Sequence, residues 1–132
     1  MDRINSLPDK ERKMALKIFN NIPHVEVKRT LKDNERLSFC GGIRVIHTPG
    51  HTPGHICLYH EESKTLIAGD ELNVMDGQLT GPNKRTMNEE DTKMAINSLK
   101  KLEEYDIENV ISYHGGLFNN NPHQKIKELT GN

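Results

Sequence analysis

The apolar residues Met14, Ile18 and Ile22 recur at a spacing of four. This spacing predicts a helix over 8–22, with Pro8 suited to its first position and Pro23 ending it. Beyond Pro23 the period changes to two. Val25, Val27 and Leu31 suggest a short strand, and Lys32 to Glu35 a turn. Leu37 and Phe39 continue the alternation, Gly41-Gly42 supplies a tight hairpin turn, and Ile43, Val45 and His47 form the next strand. Further strands are expected over His55–Tyr59 and Thr65–Ala68, which makes this block an antiparallel meander. Residues 70–87 read as a long irregular loop, a length more often functional than decorative in compact domains. Asn88, with Asp91 three residues on, marks the start of a helix running to about Tyr105 with a buried stripe of Ala95, Leu99 and Leu102. Ile107, Val110 and Ile111 predict a short strand, and Asn121-Pro122 a last short helix ended by Gly131. The expected fold class is α/β (α+β): one largely antiparallel sheet with helices on one face, in a single domain over 1–132.

Composition narrows what such a chain can do. In 132 residues, 33% are hydrophobic and 28% charged, enough for one modest core without Trp. Eighteen Lys and Arg nearly balance nineteen Asp and Glu. With no basic stripe, nucleic acid is not an expected partner. No apolar run approaches the roughly 20 residues of a membrane span, so no membrane association is expected. Cys40 and Cys57 form no framework and no ligand pair, and both are expected to be inert core thiols of a reducing cytoplasm.

Chemistry concentrates at three strand ends. His47, His51 and His55 share the segment His47-Thr48-Pro49-Gly50-His51-Thr52-Pro53-Gly54-His55. Two Pro-Gly pairs exclude a helix there, leaving a sharp loop that aims one imidazole at a site while its neighbours point elsewhere. Asp70 follows the apolar run Leu66-Ile67-Ala68-Gly69, and His114 follows Val110-Ile111-Ser112-Tyr113 and precedes two glycines. Any one of these residues alone is an ordinary cap or hydrogen-bonding group. Together they are imidazole and carboxylate groups at the rim of one pocket, a donor set suited to Zn, Fe or Mn. The spacing alone does not choose among these metals.

Three motifs in order resemble the metallo-β-lactamase superfamily of metal-dependent hydrolases. Thr48-Pro49-Gly50-His51-Thr52-Pro53-Gly54-His55 is similar to its third metal motif, with His51 as the ligand. Ile67-Ala68-Gly69-Asp70 is similar to the motif whose Asp bridges two metals, and Ile111-Ser112-Tyr113-His114-Gly115-Gly116 to the final His motif. The family's main motif, His-x-His-x-Asp-His, is absent from this sequence. Carried onto this chain, the resemblance implies His51, Asp70 and His114 as ligands of two divalent ions (zinc, with iron or manganese as alternatives). Asp70 is the catalytic bridging residue, and Thr52 and His55 are candidates to support the ligands from behind, although His55, at the start of the strand Ile56-Cys57-Leu58, reads first as a buried hydrogen-bonding residue. His47 is read as structural, and Asn73 or Tyr113 as candidate substrate contacts. Each ion would keep two protein ligands, one shared, where a catalytic zinc has three plus water.

The resemblance further implies half of a four-layer αββα sandwich, and metal-assisted hydrolysis of a small-molecule substrate in the complete protein. The loop Glu71–Met87 is the expected specificity element. One sheet face would then lack its cover. Ile43, Val45, Ile56, Leu58, Leu66 and Ala68, or their alternates on the other face, are expected to be covered by the missing amino-terminal half or by a second copy in a homodimer. Alone, the chain is expected to be inactive. The alternative is a non-catalytic self-associating or metal-binding module.

Overall fold

The computed structural model describes residues 2–131. The chain forms two compact units, residues 1–30 and residues 31–132. The first contains α1 (Asp2–Asn5) and α2 (Asp9–Asn20). Pro8 precedes α2, Asp9 and Glu11 lie in its first turn and Lys17 in its last, the charge order that a helix dipole favours. No residue of α2 is buried. The expected strand from Val25 to Leu31 is absent: residues 22–32 have no helix or strand, and Val25 and Val27 are exposed. Their alternation had no neighbouring strand with which to pair.

The second unit holds β1 (Arg36–Leu37), β2 (Ile43–His47), β3 (Ile56–His60), β4 (Thr65–Gly69), β5 (Asn73–Met75), β6 (Gln78–Thr80), α3 (Glu89–Leu102), β7 (Asn109–Ser112), β8 (Gly116–Phe118) and α4 (Pro122–Leu129). Six strands form a sheet in the order β1-β2-β3-β4-β7-β8, and β5 and β6 form a separate hairpin. The pairs from β1 through β4 are antiparallel, the expected meander, but β7 joins β4 in parallel through the helical crossover of α3. Strand β8 was not anticipated, and Phe39 lies beyond the two-residue β1.

The expected loop over 70–87 is also more ordered than its composition suggested. Asp76 (φ 51°) and Gly77 (φ 74°) turn β5 into β6, the Asp-Gly chemistry of a tight hairpin, and a 3-10 turn follows at Lys84–Thr86. Helix α3 starts where expected, with the Asn88 side chain accepting from the Asp91 N–H at 2.7 Å, and it ends at Leu102.

Core packing follows strand parity. Ile46, Cys57, Tyr59, Leu66, Ala68, Val110 and Phe118 point to the face covered by Leu99 and Leu102 of α3 and Ile126 of α4. On the opposite face, the pairing register aligns Val45, Leu58, Ile67, Ile111 and Leu117 as one row across five strands. Ile67, Ile111 and Leu117 in that row are exposed. The set expected to need an external cover therefore mixed two faces. Ile43, Val45, Ile56 and Leu58 point to the opposite face, where Val45 is fully buried and the other three are half-buried, whereas Leu66 and Ala68 lie beneath α3 and α4. A second correction concerns Cys40, which is exposed in a turn at φ 54° because the strand expected to carry it stops at Leu37; Cys57 is buried as expected. No helix among the described residues is long and apolar enough to cross a membrane.

Candidate metal centre

Strands β2, β4 and β7 run in the same direction, because β2 and β4 are both antiparallel to β3 and β7 is parallel to β4. Their carboxyl ends therefore meet at one sheet edge, where open sheets commonly place ligands. His51 lies in the loop after β2, Asp70 directly after β4, and His114 two residues after β7. Topology thus joins residues that are far apart in sequence.

Asp70 stands in the middle of the three. His51 Nε2 lies 3.4 Å from Asp70 Oδ2, and His114 Nε2 lies 3.3 Å from Asp70 Oδ1. The donors are strung along one carboxylate rather than gathered round a point, and no cluster of three among the described residues forms a ready single-ion cage. Both separations exceed the roughly 2.7–2.9 Å of a charge-assisted N–H···O bond. They match the roughly 3.3–3.4 Å edge between two donors on one tetrahedral ion with bonds near 2.0–2.1 Å. The donor set therefore fits two ions sharing Asp70, each short of the protein ligands needed for closure.

Glycines and short hydrogen bonds fix each arm of the site. A Cβ on Gly50 (φ 148°) would lie 2.4 Å from the Ala95 Cβ, so the His51 loop sits against α3 only because residue 50 has no side chain. Ser98 Oγ donates to the Pro49 carbonyl at 2.8 Å from the same helix. On the far arm, a Cβ on Gly115 would come within 2.0 Å of the Val74 carbonyl oxygen, and the Val74 N–H donates to the His114 carbonyl at 2.9 Å. Ser112 Oγ ties that loop to the Leu72 carbonyl at 2.5 Å. Between them, the β4–β7 register shifts at Ile67/Gly69, and the Tyr113 N–H reaches the Gly69 carbonyl at 3.0 Å. Such a bulge re-aims the residue that follows, here Asp70.

His55 is turned inward. The Asp70 N–H donates to His55 Nε2 at 3.0 Å, and His55 Nδ1 lies 2.8 Å from the hydroxyl of fully buried Thr48. Burial holds this imidazole below its ordinary pKa, against a smaller upward pull from Asp70. Thr52, the other expected support, does not take that part with its side chain. The residue is exposed, and its carbonyl accepts from the Gly50 and His55 N–H groups, so it shapes the loop through its backbone. His47 is structural: its Nε2 donates to the Pro53 carbonyl at 2.9 Å, and its N–H holds the Asp33 carboxyl below the usual range. Asn73 braces the hairpin through the Gly81 carbonyl at 3.1 Å, and the exposed Tyr113 sets its ring edge-on to His114 at 4.8 Å.

Two features add to what the sequence shows. Glu71 is fully buried, and neither of its oxygens has a hydrogen-bond partner among the described residues. Desolvation pushes its carboxyl up to about 9. The only sequence signal was its place between a site residue and the apolar Leu72. The second is a cleft of about 700 Å³ beside His114, lined by Met75, Pro82, Lys84, Arg85, Ile96 and Leu99 among others. The Asp76-Gly77 hairpin that forms one of its walls was the legible signal for it.

The family model of the metallo-beta-lactamase superfamily matches residues 8–114. The chain belongs to that superfamily. Among curated relatives, a hydroxyacylglutathione hydrolase of Rhizobium meliloti is 43% identical over 54 residues, covering 40% of this chain and 20% of the relative. A probable metallo-hydrolase of Bacillus subtilis is 33% identical over 81 residues, covering 53% of this chain and 30% of its own length. A metallo-beta-lactamase family protein of Thermus thermophilus superposes with a TM-score of 0.62 at 25% identity, over 97% of this chain and 46% of that one. A protein solved in a di-iron-bound form superposes with a TM-score of 0.59 at 25% identity, over 90% of this chain and 56% of that one. The chain thus spans about half of these solved structures, and less than a third of the curated relatives just described.

Proposed function

We propose that this chain supplies His51, Asp70 and His114 to a dinuclear centre that hydrolyses an acyl ester or thioester. The remaining ligands come from a polypeptide segment seated on the open face of the sheet. The observation that carries this reading is the Asp70 carboxylate set between two imidazoles at ligand-edge distances. Supporting it are the half-length match to solved relatives and the names of the relatives, which are hydrolases.

Each imidazole offers Nε2 toward the carboxylate, and His114 also borders the cleft, the natural place for the acyl substrate. Asp70 holds a fixed negative charge between the two arms, and the glycine-packed loops keep that geometry rigid. Zinc fits the nitrogen and oxygen donors, with iron or manganese as alternatives. When bound, such ions supply Lewis acidity toward a carbonyl and a nucleophile at neutral pH. With two protein donors per ion the chain alone binds metal weakly and turns over nothing. Its buried thiol, free of any partner cysteine, suits the reducing cytoplasm.

The test joins this chain behind a segment carrying His-x-His-x-Asp-His and compares thioester hydrolysis with that of the chain alone, both supplied with Zn²⁺. The joined protein is expected to be active and the chain alone silent. Asp70→Asn in the joined protein should lower kcat/KM by ~10³-fold, the effect of removing several kcal/mol of charge stabilisation. Turnover by the chain alone would remove the need for a second contributor. A silent joined protein that folds and binds Zn²⁺ would refute the hydrolase reading.

A second reading, a self-associating module without catalysis, draws on the apolar row Leu58, Ile67, Ile111 and Leu117, which a second copy could cover. Sedimentation of the chain alone tests it, a concentration-dependent dimer being expected.

A further inference from the structure

The hydrogen bonds behind Asp70 define a specific part for His55. We infer that His55 is a positioning residue: a neutral imidazole, fixed in its Nδ1–H form by Thr48, that holds the Asp70 main chain so that its carboxylate stands between His51 and His114.

The tautomer follows from the partners. The Asp70 backbone N–H only donates, so His55 Nε2, 3.0 Å away, must be the accepting nitrogen. In a neutral ring the proton then sits on Nδ1, which donates to Thr48 Oγ1 at 2.8 Å. Thr48 is fully buried, and its own hydroxyl proton has Cys57 Sγ at 3.4 Å and the His55 carbonyl at 3.5 Å as acceptors. The donors therefore run from one amide through one ring to a buried hydroxyl.

Two further contacts show that the ring's place is built in. A Cβ on Gly69 (φ 55°) would lie 2.7 Å from His55 Nε2, so the strand end leaves room for this ring. The His51 ring stands edge-on to the His55 ring at a centroid distance of 6.3 Å and an angle of 85°. One side chain thus touches the backbone of one donor and the ring of another. Groups that orient ligands from behind commonly govern metal affinity.

The consequence for metal rests on reading Asp70 as a metal-bridging carboxylate, whereas the tautomer and the backbone clamp do not. Long-range ¹H–¹⁵N spectra of the full chain without metal should show His55 protonated at Nδ1 only, and hydrogen exchange should show a protected Asp70 amide. His55→Ala should speed exchange of that amide by ~10-fold or more while Leu66 and Val110 stay protected. His55→Gln, whose side-chain oxygen reaches as far as Nε2, should restore most of the protection, and Thr48→Val should loosen it less than His55→Ala. Co²⁺ titration should show affinity reduced by ~10–100-fold in His55→Ala and largely recovered in His55→Gln.

An Nε2–H tautomer in the unmodified chain overturns the inference, and so does unchanged Asp70 exchange in a folded His55→Ala. Should His55→Ala not fold, the tautomer and the Thr48→Val exchange decide in its place. Failure of the unmodified chain to bind Co²⁺ even at millimolar concentration refutes the metal reading alone, because the exchange and tautomer measurements involve no metal.

Discussion

Across the sheet the paired residues Tyr59, Leu66, Val110 and Phe118 are 8%, 0%, 0% and 7% exposed, whereas Ile67, Ile111 and Leu117, in the row displaced by one residue, are 42%, 44% and 59% exposed. Both rows are apolar, and α3 and α4 pack on the first. The difference teaches what this sheet is built for. Strands that face water on one side alternate apolar with polar residues, whereas strands buried on both sides read as continuous apolar runs. Leu66-Ile67-Ala68 and Val110-Ile111 are of the second kind. Monomers rarely leave such a contiguous patch open. On the function proposed above, the second face is a core surface that its partner layer would cover, and the same layer would supply the further ligands at the sheet edge.

The largest test of that contrast is a pair of truncations in the chain alone. Leu66→Ala should cost about 2–5 kcal/mol in urea unfolding, because it opens a cavity in a closed core. Ile67→Ala, one residue away, should cost less than about 1 kcal/mol while its face is open. In the joined protein the cost of Ile67→Ala should rise toward that of Leu66→Ala. An unchanged cost there would show that nothing covers the face.

A smaller effect probes the covered side, where Glu71 is buried without a partner. Its folded pKa, about 9, lies above the ordinary 4.5. The folded state therefore binds the proton more tightly than the unfolded state, and stability contributed by that proton is full below pH 4.5 and declines as pH rises toward 9. Glu71→Met should remove this decline and stabilise the chain at about pH 8 by about 1–3 kcal/mol, the usual cost of an unsatisfied buried group. Urea midpoints measured at about pH 5 and about pH 8 check both the sign and the flattening.

The smallest expected change in stability is on the open side. Ile67→Lys with Ile111→Lys should shift the unfolding free energy of the chain alone by no more than about 0.5 kcal/mol, because both positions face solvent. The same pair should abolish self-association in sedimentation. A dimer that survives it would place the contact elsewhere.

His51, Asp70 and His114 were legible in the sequence because each stands just past an apolar strand beside a glycine, and the three strand ends needed only to share an edge. The Asp76-Gly77 hairpin was equally legible in principle and was passed over for the loop's length and polarity. His55 was legible only as a candidate. Its two partners lie 7 and 15 residues away, and the registers of β2, β3 and β4 bring them together. Glu71 carried no mark of its burial beyond the apolar Leu72 that follows it, since a carboxylate beside a site residue reads as polar whatever surrounds it.

By itself the sequence determined three of the four α-helices, most of the strands and the strand-end positions of His51, Asp70 and His114, because local periodicity, Pro and Gly punctuation and caps act over a few residues. Tertiary structure decided which of two apolar rows the helices cover, that β7 lies parallel to β4, and that one histidine turns inward to hold Asp70. Those choices depend on register between distant segments, where a shift of one residue exchanges the faces of a strand and no local pattern records which face wins.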